Sequence, residues 1–137
     1  MATVIVWDRQ NYPIFKHVVE DMNHTPFFKD SIDDLDPKEH YTFVLDTVSA
    51  KELEGEGYKI SDLRDYKHPE QTTYVFGENT SKEPIWVKIR DKKLKGDIVY
   101  LQLPTYRILH SETSCAMVLY DRYVKQPSPS YSDQSDD

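Results

Sequence analysis

His110 and Glu112 stand two residues apart, ahead of a segment with helical apolar spacing. Either side chain can accept a proton from a hydroxyl group, so the pair is a candidate general base. His110 can equally cap the helix or hydrogen-bond the loop backbone. Arg107, three residues earlier, is the nearest cation and can meet a phosphate or simply face water. A second cationic run holds Lys88, Arg90, Lys92, Lys93 and Lys95. It reads either as an anion-binding face or as a solvated segment partnered by Asp91 and Asp97. Lys88, Arg90 and Arg107 are the candidate contacts to an anionic substrate. Tyr74, Tyr100, Tyr106, Tyr120 and Tyr123 can stack on bases, or lie half-buried with a wet hydroxyl.

Other chemistries find no support. His17, His24, His40 and His68 share no metal-ligand spacing, and Cys115 is the only cysteine. A structural metal and an internal disulfide are both excluded on that reading. Four glycines and no Gly-Lys-Ser/Thr sequence leave no phosphate loop.

Two stretches must position the candidates. Thr72 to Phe76 reads as a strand that stops at Gly77, with Glu78 and Asn79 following. Ile98 to Leu103 reads as a strand ended by Pro104, and a helix runs from about Ser111 to Tyr123 with Cys115, Ala116, Val118, Leu119 and Tyr123 facing inward. Ligands of α/β proteins collect where strand ends meet loops and helix starts. Earlier in the chain, Thr3 to Trp7 reads as a buried strand. Pro13 opens a helix whose inner face is Ile14, Phe15, Val18, Val19 and Met22, stopped at Asn23-His24-Thr25-Pro26. Phe27-Phe28 starts a short strand, and residues 30–40 form an acidic loop with one helical turn. Tyr41 to Leu45 is a strand ending at Asp46-Thr47. Ser49 caps a short helix through a capping box with Glu52, and Gly55 and Gly57 end it. Residues 58–71 stay ambiguous, and 78–96 fit helix or strand. The alternation predicts an α/β fold, a mainly parallel sheet with helices on both faces.

The 137 residues suffice for one domain, residues 1–125. Residues 126–137, rich in Pro, Ser and Asp, are expected to be a disordered acidic tail. The net charge is −7, of which Asp133, Asp136 and Asp137 carry three, leaving −4 for the rest. That balance argues against broad nonspecific nucleic-acid binding but not against a local basic face. A mean hydropathy of −0.71, no apolar run of membrane-spanning length and no basic n-region before Val4-Ile5-Val6 predict a cytoplasmic protein.

Val75-Phe76-Gly77 with Glu78, then Leu103-Pro104-Thr105, the loop Ile108-Leu109-His110-Ser111-Glu112 and the helix ending Leu119-Tyr120-Asp121 together resemble the SPOUT superfamily, in particular its SpoU-like RNA ribose methyltransferases. The likeness is best over residues 72–124. It implies a C-terminal trefoil knot, which no pattern in the residues would suggest. It implies S-adenosylmethionine held in a bent shape, mostly by main-chain groups. The matching positions are Leu45, Asp46, Thr47, Phe76, Gly77, Gln102, Leu103, Pro104 and Leu109. It also implies a homodimer whose second subunit completes the site, with Ser114 and Ala116 allowing close helix approach, and an RNA substrate. The sequence departs from the family's Asn-x-Gly-x-x-x-Arg signature. Asn11 remains, the glycine is missing, and the arginine position falls near Val19 or Glu20. Arg9 is a candidate substitute by position. His110 replaces the family's loop Asn, and Glu112 its Ser. The expected activity is S-adenosylmethionine-dependent 2'-O methylation of RNA; the alternative is a noncatalytic relative that binds or adapts.

Overall fold

The computed structural model describes residues 3–6, 12–28, 32–76, 84–102 and 111–126. In chain order the elements are β1 (Thr3–Val6), α1 (Tyr12–Asp21), β2 (Thr25–Phe28), a 3-10 turn (Ile32–Asp34), β3 (His40–Leu45), α2 (Thr47–Gly55), β4 (Ile60–Asp62), a second 3-10 turn (Leu63–Asp65), β5 (Thr73–Phe76), α3 (Ile85–Asp91), β6 (Lys95–Tyr100) and α4 (Ser111–Lys125). All six strands are parallel, in the order β2-β1-β5-β3-β6-β4.

A parallel sheet must be covered on both faces, which is why its strands read as nearly continuous apolar runs. Successive side chains alternate between two cores. Val4, Val44, Tyr74, Phe76 and Val99 meet Phe15 and Val19 of α1 and Cys115, Val118 and Leu119 of α4. Ile5, Phe43, Leu45, Val75 and Ile98 meet Ala50 and Leu53 of α2 and Ile85 and Ile89 of α3. The three-layer α/β architecture is therefore the one expected. The knot depends on segments 77–83 and 103–110, which lie outside the described residues, as do 127–137 of the tail. Gln126 is described, and its amide donates to the His68 carbonyl.

The residue-level expectations fared unevenly. Ile14 is half-exposed and not part of the α1 inner face. β2 begins two residues early and takes in Pro26, which its edge position tolerates. The cap of α2 is Asp46 and not Ser49: its carboxylate accepts the Ser49 N–H at 3.0 Å and the Ser49 hydroxyl at 2.7 Å. Strand β6 starts three residues before Ile98 and ends at Tyr100, because the full length of β3 pairs with it from His40↔Lys95 to Leu45↔Tyr100. Gly96 permits that pairing: a Cβ there would lie 2.2 Å from the Tyr41 carbonyl oxygen. The two undecided segments resolve into β4 with its 3-10 turn, and α3 leading into β6.

Three helices end alike. After α1, the N–H groups of Asn23 and His24 return to the carbonyls of Glu20 and Val19; after α2, those of Gly57 and Tyr58 return to Glu54 and Leu53; after α3, those of Lys93 and Leu94 return to Arg90 and Ile89. This is the Schellman arrangement, which needs a left-handed residue. Gly57 (φ 95°) and Asn23 (φ 64°) suit it, whereas Lys93 (φ 54°) does not. Replacing Lys93 with Gly is expected to raise stability by about 0.5–1 kcal/mol, after allowing for the freer unfolded chain. A urea midpoint unchanged or lowered in K93G contradicts this.

Candidate functional site

Leu45, Asp46, Thr47, Phe76 and Gln102, the expected ligand positions among the described residues, lie at the carboxyl ends of three neighbouring strands. Register places Leu45 beside Tyr100, and Val75 of β5 beside Phe43 of β3, so the ends of β5, β3 and β6 are nearly level. The side chains of Leu45 and Phe76 are buried in opposite cores, and Leu101 packs partly against the α1/α4 side. A ligand at this edge would therefore meet their peptide groups rather than their side chains. Asp46 fills the single-residue turn from β3 to α2 and is committed to the cap, where a carboxylate also suits the helix dipole. Thr47 follows as the first residue of α2, and Gln102 is exposed. Lys51 of α2 lies 5.7 Å from the Tyr100 ring centre, giving this edge a cation.

Gly77, Leu103, Pro104, Leu109, His110, Arg107 and Arg9 lie outside the described residues. Glu112 falls in the first turn of α4. Counted from Asn11, the signature's arginine position is His17, exposed on α1, and not Val19, buried in the α1/α4 core, or Glu20, exposed on α1. Arg90 is not brought to the strand ends. α3 leads through Lys92–Leu94 into the start of β6, so Arg90 sits at the opposite edge of the sheet. There it pairs with Asp91 at 2.9 Å and Glu56 at 3.9 Å, and its guanidinium lies 5.2 Å from the Trp86 ring centre. Lys92 pairs with Asp33 at 2.8 Å, and Asp97 accepts the Tyr66 hydroxyl at 2.9 Å. Asp91 is thus a partner of the basic run as read from sequence, while Asp97 serves elsewhere.

A polar network lies away from these positions and went unread in the sequence. His68 is 2% exposed. Arg122 donates to the Pro69 carbonyl at 2.6 Å and the Tyr74 hydroxyl at 3.0 Å. With that oxygen accepting, the Tyr74 O–H is free to donate to His68 Nδ1 at 2.7 Å, and His68 Nε2–H to Asp121 at 2.7 Å. A neutral imidazole satisfies every member in that direction. Burial drives the His68 pKa below its usual value, against the pull of Asp121; burial likewise raises that of Tyr74. The buried Cys115 thiol is pushed up to about 12, which removes it as a nucleophile. With His68 and Tyr74 both enclosed, the network is built to hold structure and not to meet substrate. One signal existed for it: residues 115, 118, 119 and 122 continue one helical stripe, so Arg122 had to lie inside.

Among the described residues, no group of three or more His, Cys, Asp or Glu is placed to hold a metal ion, and no helix is long and apolar enough to cross a membrane.

No protein-family profile matches this chain, and no curated protein matches it in sequence. Solved structures do match. A probable methylase-family protein from Haemophilus influenzae Rd KW20 aligns over 90% of this chain and 65% of its own, with TM-score 0.57 and 13% identity. A candidate RNA methyltransferase from Bacillus anthracis aligns over 93% and 95%, with TM-score 0.58 and 12% identity. A structure described for 2-OH methylation of C/U34 on tRNA aligns over 93% and 91%, again with TM-score 0.58 and 12% identity. The chain shares the fold of these structures. It spans just under two thirds of the first of these proteins and nearly all of the other two.

The His68 pKa shift fixes a sign for pH dependence. The unfolded histidine takes a proton as pH falls below about 6.5, while the folded one resists it. Stability present at pH 7.5 should therefore decline as pH falls through 6.5, until the folded pKa is passed. Urea midpoints at pH 7.5 and 5.5 should differ more for the wild type than for His68→Gln. Equal changes in both proteins count against a neutral buried His68.

Proposed function

We propose that this protein is an S-adenosylmethionine-dependent RNA methyltransferase of the SPOUT type, acting on a ribose 2'-hydroxyl. The observation that carries the reading is the fold likeness, over 90% or more of this chain, to structures described as methylases or RNA methyltransferases. The level ends of β3, β5 and β6 fit a cofactor recognised by main-chain groups, because their buried side chains fix those peptides in place. Leu45, Asp46, Thr47, Phe76, Gly77, Gln102, Leu103, Pro104 and Leu109 are the residues proposed to hold it. When bound, S-adenosylmethionine supplies an electrophilic methyl group on a sulfonium. His110 or Glu112 is proposed to take the proton from the attacking hydroxyl, and Arg9 or Arg107 to hold a neighbouring phosphate.

A second reading has its own support. No arginine lies on α1, where His17, Val19 and Glu20 occupy the positions nearest to the family's catalytic arginine, which favours a noncatalytic relative that keeps the fold as a binding or adaptor protein.

Calorimetry with S-adenosylmethionine and S-adenosylhomocysteine separates donor binding from its absence. At about 100 times the dissociation constant, ligand should stabilise the fold by roughly 2.7 kcal/mol. No heat and no thermal shift at millimolar ligand would remove the methyltransferase reading. Donor binding without transfer to RNA, with His110→Ala and Glu112→Ala unchanged in every property, would favour the adaptor.

A homodimer is part of the proposal. Met117, Tyr120 and Val124 form one stripe on α4 and are 40%, 61% and 55% exposed. Such a stripe at i, i+3 and i+7 suits a second copy of the same helix. Light scattering should give twice 16.1 kDa for the wild type and the monomer mass for Tyr120→Lys/Val124→Lys. A wild-type monomer at high concentration would refute it.

A further inference from the structure

At the edge of the sheet remote from the candidate cofactor site, a groove is lined by Lys59, Arg90, Lys93 and Lys95, with Glu56 the acidic residue on its wall. It runs between the end of α2, the approach to β4, the end of α3 and the start of β6. The floor is fixed: Tyr58 donates its hydroxyl to the carbonyls of Leu94 at 2.7 Å and Ile89 at 3.2 Å. Lys59, Lys93 and Lys95 are exposed, and among the described residues none of the three forms an ion pair. Arg90 and Lys92, by contrast, are held by Glu56, Asp91 and Asp33. Cations from three separate elements thus converge on one concavity, in a chain whose net charge is −7.

Lys93 adds a second, independent observation. It occupies the left-handed C-terminal position of α3, where glycine would cost less. A strained residue in the lining of a groove is the kind of local cost that accompanies a binding role.

We propose that this groove docks the phosphodiester backbone of RNA. The cations are spaced around the groove rather than focused on one point, which suits successive phosphates better than a single anion. For the nature of the polyanion, the proposal rests on the reading of this protein as an RNA methyltransferase. β6 runs from the groove at Lys95 to the candidate site at Tyr100. At roughly 3.3 Å per residue that is about 16 Å, or on the order of five stacked nucleotides at about 3.4 Å each. A ten-nucleotide RNA held in the groove is therefore long enough to extend to the strand ends.

The test is fluorescence anisotropy of labelled single-stranded RNA of three and of ten nucleotides, at several salt concentrations. The wild type should bind the longer RNA more tightly. Lys59→Glu/Lys95→Glu should weaken binding at least tenfold and flatten the log–log salt dependence by about 0.7 for each phosphate no longer neutralised. Lys93→Gly should weaken it two- to threefold while its urea midpoint rises, so misfolding is not the cause. Variants that bind with wild-type affinity and salt dependence overturn the proposal, as does a wild type that binds no RNA at low salt. S-adenosylhomocysteine calorimetry on the same proteins keeps the two readings apart. Groove-dependent RNA binding without cofactor binding removes the methyltransferase and leaves the groove; cofactor binding with groove-independent RNA binding does the reverse.

Discussion

Two connections in this fold have a 3-10 turn in place of an α-helix, β2 to β3 and β4 to β5, and the second is held from outside by the end of α4. β4 ends at Asp62 beside Tyr100, while β5 begins at Thr73 beside Thr3. The chain returns across the α1/α4 face with only one 3-10 turn, so the carbonyls of Leu63 to Glu70 have few local partners. Leaving such groups buried and unpaired costs about 1–3 kcal/mol each. The end of α4 supplies what is missing. Lys125 donates to the carbonyls of Leu63, Arg64 and Tyr66, at 2.7, 3.0 and 2.9 Å. Arg122 reaches Pro69 and Glu70, and Gln126 reaches His68. Arg122 also grips Tyr74, which orders the His68–Asp121 pair behind it. One helix end thus serves as the hydrogen-bonding scaffold that a crossover helix would have supplied to itself.

That arrangement separates tasks across the sheet. Polar side chains of α4 and residues 63–74 hold the fold together under one face. The level ends of β3, β5 and β6 offer peptide groups anchored by buried Leu45 and Phe76. The starts of β4 and β6, with the end of α3, gather lysines that form no ion pair among the described residues. The fold can persist at 12–13% identity because its geometry depends on strand register, which many apolar side chains can maintain.

The parallel sheet was legible because its strands are apolar on both faces, as in Tyr41 to Leu45. The stops at Asn23 and Gly57 were legible because these residues take left-handed conformations readily. Lys93 was not, since nothing about a lysine marks that conformation. Nor was the start of β6: Lys95-Gly96-Asp97 carries no strand signal and pairs only because β3 lies alongside. Ser49 with Glu52 imitated a cap, but Asp46 one turn earlier bonds both Ser49 donors and fixes the helix there. Of the candidate site, the end of β5 was readable from Phe76-Gly77, whereas β6 stops at Tyr100, short of the Leu103 expected. Arg122 lay on the inner stripe of α4, but neither its partners nor those of His68 could be read, because they are distant in sequence.

The central claim is that main-chain groups at the ends of β3, β5 and β6 hold the methyl donor. Amide chemical-shift mapping during titration with S-adenosylhomocysteine tests it most directly. Main-chain binding predicts saturable shifts concentrated at Leu45 to Thr47, Phe76, Gly77 and Gln102, with the amides of Lys59 and Lys93 to Gly96 unmoved. Shifts centred on the lysine groove, or none at saturating ligand, would contradict it.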